Sequence, residues 1–286
     1  MDTANYLSRF WRGAKTWRSF SLGPVTLHFR LGRTYRRRLE PPPWWQTPGS
    51  VAATAGESPA RAGEVALIAG MGAEIGPALV RKLTEVGMRT AVVSRTAFMQ
   101  GGEQLPRSYS CDVTNERETA RVVNDVIRDV GVPSLLVYGV QGWSPGRFVD
   151  IEVADFEEAW RANCLGAFIL AQQVTRAMLS VGRGTIVFLG STSGTVGRAG
   201  YLNLATGKFG LRAMAQVMAR ELGPRGIHVV HLIIDAHVQA VSQEAGPHSN
   251  PDELADLIQS LHAQPRSVWT HELDVRPHNE AFWQHC

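Results

Sequence analysis

Apolar residues follow two rhythms along this chain. Short, nearly unbroken runs at Val65–Ala69, Arg89–Ser94, Leu135–Val140, Thr185–Gly190 and Ile227–Ile234 have the length and composition of buried strands. Between them apolar residues recur three or four apart, which is the spacing of one helix face. Ile75, Leu79, Leu83 and Val86 open this pattern. Residues Glu116–Val130 continue it behind Thr114-Asn115, and Leu202–Leu222 repeats it. Ala154–Leu179 reads as one long helix, with Phe156, Trp160, Leu165, Phe168, Ile169 and Val174 as buried candidates. Tyr109–Asp112 reads as the end of a third strand and Val268–Val275 as a seventh. Asn250-Pro251-Asp252-Glu253 supplies a capping side chain and a first-turn proline for a last helix. Helical crossovers between such strands predict an α/β protein with a doubly wound, parallel, seven-stranded sheet covered on both faces.

The stretch from Val65 to Gly76 organises the rest. A buried strand is followed by the turn Gly70-Met71-Gly72-Ala73 and by a helical pattern from Ile75. That order brings backbone N–H groups and a helix N-terminus to the place where a dinucleotide's phosphates bind. Gly70, Gly72 and Gly76 are the candidate cradle. Glu74 argues against it, because it adds a negative charge where close approach of a pyrophosphate is needed.

Charge changes the picture at one end only. Residues 1–40 hold nine Arg and Lys against Asp2 and Glu40, a sum of +7, so the remainder carries 3 − 7 = −4. The basic character belongs to the N-terminus, which argues against nucleic-acid binding by the main domain. Over residues 1–20, Tyr6, Leu7, Phe10, Trp11, Ala14 and Trp17 recur at helical spacing, with Arg9, Arg12, Lys15 and Arg18 on another face. This predicts an amphipathic helix of the kind that targets mitochondria, and it suits a membrane surface or a partner's groove equally. Arg36-Arg37-Arg38, the stiff Pro41-Pro42-Pro43-Trp44-Trp45 segment and a linker over 46–63 follow. The expected division is an extension, 1–63, and a main domain, 64–286. Cys111, Cys164 and Cys286 suit a reducing compartment rather than a disulfide framework. No Cys/His cluster has metal spacing, and His228 and His231, three apart in a strand, point to opposite faces and read as packed or solvent-facing side chains. No uninterrupted apolar stretch is long enough to span a bilayer.

With these residues in view, the chain resembles the short-chain dehydrogenase/reductase family over residues 64–276. The glycine turn at Gly70–Gly76, Ser94-Arg95, Asp112-Val113, Asn163, Ser191 and Lys208 occur in the family's order. The resemblance implies a Rossmann sheet of order 3-2-1-4-5-6-7. It implies that Gly70, Gly72 and Gly76 hold phosphate, that Asp112 and Val113 hold adenine, and that Lys208 also faces the cofactor. Ser94-Arg95 would select NADP(H) over NAD(H) through a 2′-phosphate. The family's chemistry uses a Tyr one helical turn before the Lys, a Ser that orients substrate oxygen, and an Asn that relays protons. Here that position is Leu204, thirteen residues after Ser191 (204 − 191), and a leucine moves no proton. Tyr201 lies seven residues before Lys208. The family's Asn-Asn-Ala-Gly after the fourth strand is absent from Val137-Tyr138-Gly139-Val140-Gln141, and its Pro-Gly turn is replaced by Asp235-Ala236-His237.

These departures set the functional expectation. It is a non-catalytic accessory subunit of a larger mitochondrial assembly of the respiratory-chain type, with NADP(H) as a retained ligand, Asn163, Ser191 and Lys208 as vestigial catalytic residues, and no metal. The extension would contact protein partners and so bring the chain to a membrane indirectly. Family-type homodimers through the two long helices are a further expectation, and the cytoplasm is the alternative location. Two alternatives stand beside this reading: an active NADP-dependent oxidoreductase for a carbonyl or alcohol, and an NADPH-sensing binding module.

Overall fold

The computed structural model describes residues 18–22, 25–29, 63–70, 72, 74–96, 106–239 and 248–280. The chain divides into two compact units, Met1–Pro48 and Gly49–Cys286. In the first, β1 (Arg18–Leu22) pairs antiparallel with β2 (Val25–Phe29), Leu22 in register with Val25. The helix expected over residues 1–20 is therefore a strand where it is described, from Arg18 on, and residues 1–17 lie outside the described residues. The signal was present: Phe20, Leu22, Leu27 and Phe29 alternate with Ser19, Ser21, Thr26 and His28, a period of two. Trp44, Trp45 and linker residues 46–62 also lie outside the described residues.

The second unit alternates strand and helix as the apolar pattern requires. Its strands are β3 (Val65–Ala69), β4 (Arg89–Ser94), β5 (Arg107–Ser110), β6 (Leu135–Tyr138), β7 (Gly184–Ser191) and β8 (Ile227–Ile234), then the short β9 (His237–Val238) and β10 (His248–Ser249), and β11 (Glu272–Val275). Its helices are α1 (Ile75–Glu85), α2 (Glu116–Asp129), α3 (Val153–Trp160), α4 (Gly166–Val181), α5 (Leu202–Leu222) and α6 (Pro251–His262). The main sheet is parallel, seven-stranded and ordered β11-β8-β7-β6-β3-β4-β5. Numbered within that sheet, this is 7-6-5-4-1-2-3, the expected Rossmann order read from the other edge.

Successive residues of each strand feed opposite faces. Val65, Leu67 and Ala69 join Val122 and Val126 of α2, Leu170, Val174 and Met178 of α4, and Leu211 and Ala215 of α5. Ala66 and Ile68 join Leu79 and Leu83 of α1 and Leu254, Ile258 and Leu261 of α6. Burial on both faces explains why these strands read as continuous apolar runs rather than alternating ones.

Three expected boundaries move for local reasons. β5 stops at Ser110 because the Asp112 carboxylate accepts from the Thr114 N–H and hydroxyl, both at 2.9 Å, closing an Asx turn. β11 starts at Glu272, not Val268. The Gln264 side chain takes the Thr270 N–H (2.8 Å) and donates to its hydroxyl (2.8 Å), holding the preceding residues in a turn. The helix expected over Ala154–Leu179 is continuous from Val153 to Val181 but carries one π-turn, Arg161–Leu165. That helix is long and apolar enough to cross a membrane by length and composition. Its Ala167, Leu170, Val174 and Met178 pack on the sheet instead. Of its predicted buried residues, Ile169 and Val174 are buried, Phe156 and Leu165 are half-buried, and Trp160 and Phe168 are exposed.

Candidate nucleotide and ligand site

Parallel strands direct their carboxyl ends, and the loops that follow, to one edge of the sheet, where open α/β sheets bind ligands. Among the described residues, two cavities there gather the predicted site residues after the strands. The first, of about 860 Å³, is lined by Gly70, Gly72 and Gly76 after β3, Ser94 and Arg95 after β4, and Asp112 and Val113 after β5. All seven of these predicted nucleotide contacts share one cavity. Lys208, the eighth, lines the second cavity, of about 630 Å³, together with Ser191, Leu204, Tyr201, Trp143 and Asp235. Gln141 lines both.

The first cavity fits the adenosine diphosphate half of a dinucleotide. Gly70 has φ +65°, and an added Cβ would fall inside the Val140 side chain, so only glycine serves there. An added Cβ at Gly72 would meet nothing within 4 Å, which leaves the approach open. The N-terminus of α1 has no side-chain cap and no acidic residue in its first turn, so its N–H groups remain for a phosphate. Glu74 is exposed and does not line the cavity, so its charge does not occupy the phosphate position. One Asp112 oxygen closes the turn with Thr114; the other has no partner among the described residues, as an adenine amine requires. Ser94 donates its hydroxyl to the Thr96 carbonyl. Arg95 is exposed and lies 3.7 Å from the Glu158 carboxylate of α3, which would compete with a 2′-phosphate for it.

The second cavity holds the family's reaction-centre positions without a proton donor at 204. Lys208 is 2% exposed, and its ammonium donates to the Leu189 carbonyl at 2.8 Å. Burial pulls its pKa down to about 8. The Ser191 hydroxyl is buried and has no hydrogen-bond partner among the described residues. Leu204, four residues before Lys208 on α5, fills its place with hydrocarbon and is 5% exposed. Tyr201, the residue before α5 begins, lines the same cavity, with its ring stacked on Trp143 at 4.9 Å.

Asn163 sits behind both cavities, fully buried in the π-turn. Its amide donates to the Gly142 carbonyl (2.6 Å) after β6 and to the Ala159 carbonyl (2.8 Å) in its own helix. It therefore braces the floor of the site and lines neither cavity. Sequence reasoning missed Tyr138 as its co-worker. The Tyr138 hydroxyl donates to the Ala162 carbonyl at 2.6 Å, and a Cβ at Gly166 would come within 2.7 Å of that oxygen. The carbonyl it takes lies in the π-turn, so a tyrosine at the end of β6 ties that strand to the helix. Asn203 was missed too. Fully buried, it donates to the Ser144 carbonyl (2.9 Å) and hydroxyl (2.8 Å), clamping the loop after β6 to α5. At the replaced Pro-Gly turn, Asp235 pairs with Arg276 at 2.9 Å. Of the packed and solvent-facing roles expected for His228 and His231, both take the packed one; His231 meets Glu272 at 3.1 Å, and Glu272 is held by Arg212 Nε and Nη2 at 2.8 and 2.7 Å. Among the described residues no group of three or more His, Cys, Asp or Glu side chains forms a metal site.

The sheet order, the glycine turn and the placed Asn, Ser and Lys define a Rossmann-type dehydrogenase fold. The chain belongs to the short chain dehydrogenase family, whose model matches residues 64–244. It is 29% identical over 208 residues to a D-threitol dehydrogenase of Mycolicibacterium smegmatis, covering 68% of this chain and 78% of that one. A short-chain dehydrogenase structure from Rhodopseudomonas palustris superimposes with a TM-score of 0.65 at 29% identity, over 76% of this chain and all of the other. An alcohol dehydrogenase of Thermococcus sibiricus, complexed with 5-hydroxy-NADP, matches with a TM-score of 0.68 at 19% identity, over 76% of this chain and 98% of that one. The last likeness is one of fold.

Proposed function

We propose that this chain is a nucleotide-holding member of the family that has given up the family's hydride-transfer chemistry and serves as an accessory subunit of a mitochondrial protein assembly. The observation that carries this reading is Leu204. It lies one helical turn from Lys208, about 6 Å along the axis, inside the cavity where the acid is required. Lys208 remains and the Ser191 hydroxyl is left unpaired, so the two polar positions persist without the group they served. The nucleotide is NADP(H), supported by Ser94-Arg95, by the uncommitted Asp112 oxygen and by the open glycine turn; such a cofactor would supply hydride when bound. Partner contact is supported by the basic, aromatic extension and by Trp160, Phe168, Phe209 and Val217, exposed on α3, α4 and α5. Family members commonly form homodimers, and this surface would serve a second copy or a different subunit equally.

A second reading is an active NADP-dependent oxidoreductase in which Tyr201 supplies the proton, favoured by its presence on the same cavity wall as Ser191 and Lys208. Reductase assays with NADPH and a broad carbonyl panel separate the two. The first predicts NADPH binding without oxidation. Turnover lost on Tyr201→Phe would establish the second. An NADPH-sensing module would show partner affinity that changes with NADPH.

A further inference from the structure

We propose that the second cavity takes a small organic anion, a carboxylate on a flat apolar body, with Arg198 as its counter-ion and Ser191 as the hydrogen-bond donor at its other end. This rests on the second cavity being a ligand site; it does not depend on the nucleotide being present.

Arg198 is half-buried on the cavity wall, its guanidinium carbon 4.8 Å from the centre of the Tyr201 ring. Tyr201 in turn stacks on Trp143, the two planes only 15° apart. A guanidinium lying over an aromatic ring keeps N–H groups for a planar acceptor such as a carboxylate. The stack is held from outside. Asn203 clamps Ser144, the Gly146 N–H donates to the Gly200 carbonyl at 3.3 Å, and the Tyr201 N–H donates to the Arg198 carbonyl at 3.1 Å. The cation is therefore preorganised rather than waving in solvent, which lowers the cost of binding.

Arg198 has no carboxylate partner among the described residues. Of the cavity's other charged side chains, Lys208 donates to the Leu189 carbonyl, Asp235 pairs with Arg276, and Glu280 has partners of its own; His237 and His248 also line it. On the same cavity the buried Ser191 hydroxyl is unpaired among the described residues, and a buried polar group without a partner is rare enough to call for one. Trp143, Leu204, Ile234 and Val238 supply apolar wall for the body of the ligand.

Phenylpyruvate carries a carboxylate, a carbonyl and a flat ring; phenylacetone has the ring and carbonyl without the carboxylate. Calorimetric titration of both into the full-length protein, with and without NADPH, tests the proposal. Phenylpyruvate is expected to bind about tenfold or more tighter than phenylacetone, the size of effect one charged hydrogen-bond pair gives. Arg198→Ala should erase that preference and Arg198→Lys, which keeps charge without the fork, should recover part of it. Arg147→Ala, at an exposed arginine paired with Asp150, should leave it intact. Arg198→Gln replaces the alanine variant if the latter melts early. Equal affinity for the two probes, a preference that survives in Arg198→Ala, or no phenylpyruvate binding at millimolar concentration overturns the proposal. Failure of NADPH to bind, with the preference intact, would refute the nucleotide reading and leave this one standing.

Discussion

A lysine buried without a carboxylate beside it makes a quantitative demand on stability. Lys208 has an ordinary pKa of 10.5 that burial lowers to about 8. At about 1.4 kcal/mol per pKa unit, keeping the amine charged in the folded state at pH 7 costs about 3 kcal/mol. The folded pKa lies below the unfolded one, so the cost is full below pH 8 and is relieved as pH rises from about 8 towards 10.5. By about pH 10 it has fallen below roughly 1 kcal/mol, a gain of roughly 2–3 kcal/mol from this one group. Lys208→Met removes the titration and forfeits the bond to the Leu189 carbonyl, which costs roughly 1–2 kcal/mol at any pH. The variant should therefore be the more stable protein at pH 7, and should lose that advantage near pH 10. Urea denaturation of both proteins at the two pH values reads the difference directly. For a domain of this size the change corresponds to roughly 5–10 °C in relative Tm. A stability difference that does not move with pH would refute the assignment of a buried, charge-disfavoured amine.

The remaining predictions concern the brace, the cofactor and the missing acid. Gly166→Ala places a methyl 2.7 Å from the Tyr138 hydroxyl and 2.9 Å from Val113, and should cost about 2–3 kcal/mol in thermal unfolding; Tyr138→Phe in that background should return part of the loss. Arg95→Ala should weaken NADPH several-fold more than NADH in calorimetry, while Glu158→Gln should tighten NADPH by about twofold by removing a competing, exposed carboxylate. Equal losses for the two nucleotides would end the 2′-phosphate assignment. Leu204→Tyr puts a phenol one turn from Lys208 and should create NADPH oxidation with a carbonyl panel that disappears on Ser191→Ala. A well-folded but inert Leu204→Tyr protein would show that the defect lies beyond the missing acid.

The fold was legible because its strands are buried on both faces and its helices on one. Val65–Ala69, Arg89–Ser94, Ile227–Ile234 and Leu202–Leu222 fall where periodicity puts them, to the residue. Errors came where a side chain overrides the backbone pattern. The Asp112 turn, the Gln264 clamp and the Tyr138–Ala162 bond each join residues whose meeting no local period reveals. Arg9, Arg12, Lys15 and Arg18 recur every third residue as on one helix face, whereas the two-residue alternation of apolar side chains begins only at Ser19-Phe20. The residues that line the first cavity were legible as a group, since they follow strand ends. The ligand half was not. Trp143 and Arg198 come from separate loops, and only packing shows that they line one cavity.

Nucleotide titration of the purified full-length protein, followed by the fate of the reduced nicotinamide in the presence of a broad carbonyl panel, bears most directly on the central claim. The account predicts saturable NADPH binding, weaker for NADH, with the bound NADPH left unoxidised by wild-type protein. Steady oxidation that falls on Tyr201→Phe or Ser191→Ala, or the absence of any NADPH binding, would contradict it.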